Sequence, residues 1–462
     1  MLANIDGFDV RGYIQRLNTS NFPVVGLPIL GGGTQSGIGG LGIWQAFDAS
    51  NPAAVTARTG GLTQVLTYIT GLSGGGALTV STLAANEFIA IDALRKQINF
   101  TVDYTLGPDG DQTAYLTEIF ENLGAKAETG LPVSVADAFA QNTSECIQGF
   151  DKFTFIQGST ANAFNAYITP PPQFEDDGRV ILVNQTAQFF NQTFNESLWA
   201  TYPNPFENYS PSMQGVDELL LIDGSLGGET GPIRPLIIPE RQSAAQGNIP
   251  FPRISDVATL VTQNLIKQPT FFGCDAATSP PTPLGLYLPN SPWSGYINFT
   301  FFKWSFTDNE FDLTADNAFN LATYGNGTVD PSWPACLACT TVRGSLTRLG
   351  IELPEKCQEC FRHHCWNGNV ATRTVTPEDL NPSLRLNSSL SYAEWNQTYW
   401  NSQTSTGGSS GGNGGSGGGS GGEGGAPPSS SPNRSGASTT AEIGRVAAAV
   451  TVASIITLIA LF

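Results

Sequence analysis

The chain has 462 residues, of which 40% are hydrophobic and 10% aromatic, so it can bury a large core. Only 13% of the residues are charged, and the formal net charge of −18 opposes attraction to nucleic-acid phosphates or to anionic lipid surfaces. Nucleic acid is therefore not expected as a partner.

The N-terminal residues carry neither the basic region nor the apolar region of a signal peptide. Sequons of the form Asn-x-Ser/Thr, in contrast, favour passage through the secretory pathway and a glycosylated surface. We therefore expect a glycoprotein whose signal peptide is absent from this sequence. The twelve sequons lie at Asn18, Asn99, Asn142, Asn184, Asn191, Asn195, Asn208, Asn298, Asn326, Asn387, Asn396 and Asn433.

Three apolar, strand-like runs in the first 270 residues end in glycine turns. Residues 24–30 precede a triple glycine, residues 65–70 precede Gly71, and residues 219–222 precede Asp223 and Gly224. Strands followed by glycine turns and helices predict an α/β fold with helices on both faces of the sheet. Functional groups in such sheets collect at the carboxyl ends of the strands, where all three turns are expected.

The second of these turns contains a candidate nucleophile. Gly71-x-Ser73-x-Gly75 supplies the small neighbours that a serine needs on a sharp strand-to-helix turn, and residues 77–88 form a plausible following helix. A flexible glycine loop is the alternative interpretation of this short pattern.

A base for Ser73 is harder to find, because the chain has only two histidines, His363 and His364, adjacent in a cysteine-rich segment. Neither is a good candidate for a Ser-His-Asp triad. A carboxylate can act directly as the base if it lies close to the serine. Asp223 is the best-placed acid, although an aspartate before a glycine is also typical of an ordinary turn.

The first turn is suited to stabilising an oxyanion. Gly31, Gly32 and Gly33, followed by the small residues of 36–42, can present backbone N–H donors. A phosphate-binding loop is the alternative, but no Gly-Lys-Ser/Thr or Gly-x-Gly-x-x-Gly motif follows this strand. We expect acyl chemistry here, and neither a cofactor nor a metal.

The cysteine segment has the spacing of a zinc ribbon, with pairs at Cys336/Cys339 and Cys357/Cys360. In an oxidising compartment these residues, together with Cys365, Cys274 and Cys146, favour disulfides instead. His363 and His364 are then expected to be surface residues of a disulfide module. Seven cysteines leave one thiol without a partner in this chain.

The end of the chain predicts a linker and an anchor signal. Residues 401–438 are Gly/Ser-rich and are expected to be disordered, so the catalytic domain would span residues 1–400, with the cysteine module at 330–370. Residues 439–462 contain a polar spacer and an apolar run that reaches the C-terminus. With Ser435 as attachment residue they match a glycosylphosphatidylinositol (GPI) signal, and a tail-anchored helix is the alternative. The expected location is the cell surface, in the plasma membrane or cell wall.

Three ordered blocks carry a resemblance to fungal lysophospholipase/phospholipase B. They are Leu30-Gly31-Gly32-Gly33 through Asp48, Gly71-Leu72-Ser73-Gly74-Gly75, and Asp223-Gly224 with residues 235–241; the cysteine segment extends the resemblance to about residue 370. It implies a mixed central sheet with helices on both faces, of the patatin/cytosolic phospholipase A type. It also implies a Ser73/Asp223 dyad and an oxyanion hole at Gly32, Gly33 and Gly74. The implied substrates are lysophospholipids, with diacyl phospholipids as a wider class.

The sequence departs from this family in three places. Gln35 stands where the family carries an arginine that contacts the substrate phosphate, so a charge-assisted contact is missing. Gly76-Ala77 replaces Ser-Trp after the nucleophile. A buried strand expected after Arg241 is absent, which suggests a shortened product. Two alternatives to a lysophospholipase therefore stay open: a catalytically impaired surface glycoprotein on the same fold, and a general acyl-ester hydrolase.

Overall fold

A computed structural model gives the architecture of the chain. It describes residues 5–102, 117, 121, 123–125, 127–130, 181, 184, 188, 192, 200–224, 231–236, 257–263, 265, 268–274, 284–289, 303–374, 376 and 456–461. The expected linker, Ser435, Cys146 and the sequons at Asn142, Asn191, Asn195, Asn298, Asn387, Asn396 and Asn433 lie outside these residues.

Short strands form two sheets in the described part of the chain. They are β1 (Val25–Ile29), β2 (Tyr68–Gly71), β3 (Ala200–Pro203), β4 (Glu218–Leu221), β5 (Thr270–Phe272), β6 (Leu284–Pro289) and β7 (Ile456–Leu461). The larger sheet has the order β2-β1-β7-β6-β5, and β3 pairs with β4 in the smaller one. β1 and β2 are parallel, whereas β7 runs antiparallel to both β1 and β6. The larger sheet is therefore mixed, as predicted.

The described helices lie mainly in two stretches of the chain. They are α1 (Val10–Gln15), α2 (Gly33–Phe47), α3 (Pro52–Thr56), α4 (Thr82–Ala85), α5 (Ile91–Arg95), α6 (Val257–Thr262), α7 (Asp308–Thr323), α8 (Trp333–Arg348) and α9 (Glu355–His364). A π-helical segment, Gly75–Ser81, leads directly into α4. None of the helices that the structure describes is both long and apolar enough to cross a bilayer.

The larger sheet is covered on both faces. Every residue of β1 and of β5 is buried, and so are residues 284–288 of β6. Successive side chains of a strand point to opposite faces, so full burial means that both faces are packed against other parts of the protein. This confirms the predicted α/β architecture.

Two expectations about secondary structure were wrong. β4, which precedes Asp223, belongs to the antiparallel β3–β4 pair and not to the main sheet, because its exposed and half-buried residues alternate as in a strand with one solvated face. The helix expected over 77–88 ends at Ala85, because Glu87 and Phe88 both adopt left-handed backbone conformations that stop it.

Helix α2 forms although five of its fifteen residues are glycine. Glycine lowers helix stability by about 1 kcal/mol relative to alanine, so local propensity does not explain it. The glycines permit close packing: a Cβ on Gly42 would lie 2.1 Å from the Ala315 carbonyl oxygen of α7, and one on Gly40 would lie 2.4 Å from Thr79 Oγ1. Tertiary contact with α7 and with the π-helical segment therefore holds α2 in place. The small residues of 36–42 therefore lie within a helix.

Disulfides join the helices of the cysteine module. Cys336–Cys360 and Cys339–Cys357 link α8 to α9, and Cys274–Cys365 links the segment after β5 to the residue after α9. The zinc-ribbon alternative is thereby excluded, since all four of its thiols are used in bridges. The preference for disulfides is confirmed.

Breaking one of these bridges should weaken the fold measurably. We expect Cys339→Ser/Cys357→Ser to lower the free energy of unfolding by about 3 kcal/mol, because the 18-residue loop is no longer closed in the unfolded chain. Urea unfolding of the oxidised proteins measures the difference. Thr347→Ala, at an exposed position of the same helix, is a control that leaves every bridge intact. An unchanged midpoint in the cysteine variant would contradict this assignment.

A row of carboxylates on α7 gives the fold a pH dependence. Asp308, Asp312 and Asp316 follow at one-turn spacing, and Arg95 of α5 bonds the first two, with 3.0 Å to Asp308 Oδ1. Burial raises the pKa of Asp316 from 3.8 to about 6, and repulsion from Asp312 adds to the effect. Folding therefore favours protonated Asp316, and its ionisation destabilises the protein above about pH 6.

We expect Asp316→Asn to be more stable than the wild type at pH 7.5 by about 1 kcal/mol, because the amide cannot ionise. The wild type loses this disadvantage as the pH falls through about 6 towards 4, where Asp316 is protonated in the folded state. Urea unfolding at both pH values measures the difference between the two proteins. A difference of the same size at pH 4 and at pH 7.5 would contradict the raised pKa.

Candidate active site

Ser73 occupies a strained turn between β2 and the π-helical segment. Its φ is +50°, in the left-handed region that costs an ordinary L-residue of order 1–3 kcal/mol. β2 ends two residues before it, and the helical segment begins at Gly75, two residues after it. The side chain is half-buried, so it is held by the protein and still accessible. The predicted strand–turn–helix context is present, in the geometry that a nucleophile elbow requires.

The parallel pairing of β1 with β2 brings the two glycine turns to the same edge of the sheet. Ile29 is the register partner of Gly71, so the residues that follow each strand emerge side by side. A Cβ on Gly31 would lie 3.0 Å from the Cβ of Ser73, and one on Gly74 would lie 1.9 Å from the Gly33 carbonyl oxygen. The triple glycine therefore lies directly against the serine turn, and Gly74 must be glycine for that approach.

The triple glycine also begins a helix. Gly32 is the N-cap of α2 with φ +137°, and Gly33 is its first residue with φ +73°, conformations that L side chains rarely adopt. The first N–H groups of a helix have no acceptor within that helix and lie at the positive end of its dipole. These donors begin beside Ser73, where an oxyanion would form during attack on an ester.

Gln35 lies in the first turn of α2 and is almost fully buried, with 2% of its surface exposed. It is a neutral amide where the resemblance implies a cation. The next residue, Ser36, donates from its hydroxyl to the Leu30 carbonyl oxygen and so anchors the helix start to the end of β1. The position is thus close in sequence to the oxyanion donors but supplies no positive charge.

Asp223 is fully buried, and the residue after it, Gly224, packs against the serine turn. A Cβ on Gly224 would lie 3.0 Å from a methyl carbon of Leu72, the residue before Ser73. A second contact holds the segment further along, because Thr70 Oγ1 of β2 donates to the Pro232 carbonyl oxygen at 2.8 Å. The acid therefore reaches this region from the β3–β4 pair and not from the end of a strand in the main sheet.

One residue of this region was missed in the sequence. Thr79 is fully buried on the π-helical segment, and its hydroxyl donates to the Gly37 carbonyl oxygen of α2 at 2.8 Å. This bond joins the π-helical segment that follows Ser73 to α2, the helix that begins with the glycine N–H groups. A threonine among apolar residues gives no sequence signal for such a role.

The contacts of His364 lie in the cysteine module, away from Ser73. His363 is exposed as expected, but His364 is buried and its Nε2 lies 2.7 Å from Asp330 Oδ2. The expectation that both are surface residues was wrong for His364, because one side of the amphipathic helix α9 packs into the core. Burial lowers the pKa of His364 and outweighs the opposing effect of its hydrogen bond to Asp330.

Comparison with known proteins identifies the family. A family described as "Lysophospholipase catalytic domain" matches residues 25–145 and 240–371, which include Ser73, the triple glycine and the cysteine module but not Asp223. Lysophospholipase 1 of Aspergillus fumigatus is 27% identical, over 84% of this chain and 83% of that protein. A lysophospholipase of Penicillium chrysogenum is 25% identical, over 83% and 85%, and Lysophospholipase 1 of Candida albicans is 26% identical, over 84% and 86%.

A solved structure, human GIVD cytosolic phospholipase A2, shares 14% identity with a TM-score of 0.49, over 72% of this chain and 65% of that one. The alignment with the A. fumigatus protein spans 542 positions, more than the 462 residues of this chain, so that relative carries internal segments that are missing here. The match to the family covers more than half of the chain, and it includes the serine turn and the glycine turn beside it. The chain belongs to the lysophospholipase catalytic-domain family and is a carboxylic ester hydrolase.

Proposed function

We propose that the protein hydrolyses the fatty-acyl ester of lysophospholipids through a Ser73/Asp223 dyad, with diacyl phospholipids as a wider substrate class. The observation that carries this proposal is the left-handed backbone of Ser73, held between the glycine start of α2 and the Asp223–Gly224 segment. Strain of this kind persists where the surrounding structure enforces it, and it clusters at active sites.

The reaction has two steps in this arrangement. Asp223 accepts the hydroxyl proton as Ser73 Oγ attacks the ester carbonyl, and backbone N–H groups of Gly32, Gly33 and Gly74 stabilise the resulting oxyanion. The intermediate collapses to an acyl-Ser73 ester and the glycerophosphodiester alcohol, which takes the proton. Water then attacks the acyl-enzyme while Asp223 accepts a proton from it, and this proton passes to Ser73 Oγ as the fatty acid leaves.

Activation of Ser73 by a carboxylate, without a histidine, fits the locations of the two histidines and of Asp223. Both histidines lie on or beside α9, and His364 is engaged with Asp330 and surrounded by aromatic rings. Asp223 is the acid whose neighbour, Gly224, contacts the residue before the serine. Because Asp223 is fully buried, water is excluded from it, and its interaction with Ser73 would be stronger than in bulk water.

The preference between substrates is expected to depend on how the protein recognises the phosphate group of the lipid. With neutral Gln35 at the place of the family's arginine, we expect weaker discrimination between phosphate-bearing and neutral esters. Purified protein should release fatty acid from lysophosphatidylcholine, and Gln35→Arg should raise kcat/KM on that substrate relative to monoacylglycerol. Gln64→Arg, at an exposed glutamine in the turn before β2, is the control. Release from monoacylglycerol alone would favour a general ester hydrolase, and release from neither would favour an impaired glycoprotein.

We also propose that the protein is a glycosylated, GPI-anchored protein of the cell surface. Sequon asparagines at Asn18, Asn99, Asn208 and Asn326 are exposed, and the disulfides fit an oxidising compartment. Attachment at Ser435 would remove residues 436–462 and with them β7, so anchoring and pairing of β7 exclude each other in one molecule. Release of the surface protein by a phosphatidylinositol-specific phospholipase, with loss of C-terminal peptides, supports anchoring; peptides that include Ile456–Leu461 in the surface protein would refute it.

A further inference from the structure

The cysteine module carries a second cluster of polar side chains that the hydrolytic reaction does not use. Asp330, His363 and His364 each present a ligand atom, and the three atoms lie within 4.8 Å of one another. They come from two separate places in the chain: the turn before α8 and the last residues of α9. We propose that these three side chains bind a Zn²⁺-type transition-metal ion at the surface of the protein.

The ligand types favour such a metal over hard cations. Two imidazoles and one carboxylate match the ligand preferences of Zn²⁺ and Cu²⁺, whereas Ca²⁺ and Mg²⁺ select oxygen ligands.

Two of the ligands are already oriented by their neighbours. Asp330 Oδ1 accepts bonds from the backbone N–H of Ser332 at 2.8 Å and from its hydroxyl at 2.6 Å, which leaves Oδ2 directed at His364. The His364 ring is packed against Trp333, with ring centroids 5.1 Å apart, and against Tyr324. Neighbours that fix ligand orientation in this way are typical of metal sites, where their loss costs about 10–100-fold in affinity.

The exposed position of His363 and the distance between His364 and Asp330 leave room for an ion. His363 is exposed, and its ring lies 4.6 Å from that of His364, so it can rotate towards the pair without disturbing the core. Zinc bonds of about 2.0–2.1 Å require ligand atoms somewhat over 3 Å apart. The His364–Asp330 contact of 2.7 Å must open slightly, and its hydrogen bond is exchanged for two metal bonds. The exposed side leaves a further position for water.

Zn²⁺ titration of the purified, oxidised full chain tests this site. After treatment with a chelator, isothermal calorimetry should show one Zn²⁺ per molecule, and Ca²⁺ in excess should not compete. His363→Ala should weaken binding by about tenfold or more. Arg362→Ala, the exposed preceding residue of α9, should bind like the wild type. Co²⁺ should give a visible spectrum without thiolate charge-transfer bands, because the nearby cysteines are bridged.

Three results would overturn the proposal. They are the absence of stoichiometric Zn²⁺ binding, equal affinity in His363→Ala and the wild type, and displacement by Ca²⁺, which would indicate only the acidic surface of the chain. Asp330→Asn must weaken Zn²⁺ binding as well, and equal affinity in that variant and the wild type would overturn the proposal in the same way. Because Ser73 takes no part in the site, Ser73→Ala should bind Zn²⁺ like the wild type.

Discussion

Replacing Ser73 by alanine is expected to lower fatty-acid release from lysophosphatidylcholine by a factor of about 10⁴ or more. The loss should appear in kcat, because the substitution removes the atom that forms the acyl-enzyme and leaves the lipid contacts in place. The fold should persist, and an alanine at position 73 must adopt the same left-handed backbone conformation as the serine. Steady-state kinetics and thermal unfolding together separate loss of chemistry from loss of structure.

Ser81→Ala is the matched control for this substitution. Ser81 ends the same π-helical segment, and its side chain makes no capping bond to α4. We expect its activity to remain within about twofold of the wild type, in keeping with a surface substitution of small effect. Equal residual activities in the two variants would mean that another group is the nucleophile.

Replacing Gly74 by alanine should be almost as damaging. The added Cβ would lie 1.9 Å from the Gly33 carbonyl oxygen, far inside van der Waals contact, and the obstacle is backbone that cannot rotate aside. The glycine turn must therefore move away from Ser73. The N–H groups of Gly33 and Gly74 would then no longer point at the same oxygen position. Loss of one oxyanion donor costs about 10²–10³ in kcat, so we expect at least that reduction.

Gly124→Ala is a suitable control for the added methyl group, because its Cβ would meet nothing within 4 Å. It should leave kcat unchanged. Circular dichroism shows whether Gly74→Ala retains its secondary structure. A fully active Gly74→Ala would show that the close approach of the two glycine turns is not required for oxyanion stabilisation.

The serine turn could be predicted from the sequence because its determinants are local. An apolar run, a Gly-x-Ser-x-Gly pattern and small residues after it specify a strand and a tight turn, and the structure has β2, Ser73 at φ +50° and a helical segment in that order. The parallel register of β1 and β2 then follows from the α/β pattern. It places the triple glycine beside the serine, as expected.

Other features depend on distant contacts that local patterns do not contain. The glycines of 36–42 have low helix propensity, but packing of Gly42 against Ala315 holds them in a helix. The strand before Asp223 was assigned to the main sheet, yet its partner is β3, and nothing in an apolar run of four residues specifies its partner. Pairing of β7 with β1 and β6 joins segments more than 160 residues apart in the chain. His364 was placed at the surface as part of a disulfide module, whereas Phe271 and Trp333 pack against its ring.

In the proposed mechanism Ser73 carries the acyl group, and Asp223 activates the Ser73 hydroxyl. Intact-protein mass spectrometry after rapid acid quench of a reaction with lysophosphatidylcholine tests this most directly. We predict a mass increase equal to one acyl group, located by peptide mapping on Ser73 in the wild type and absent from Asp223→Asn at the same reaction time. An acyl adduct on another residue would contradict the role of Ser73 as nucleophile. An adduct that forms at the wild-type rate in Asp223→Asn would contradict the role of Asp223 as base.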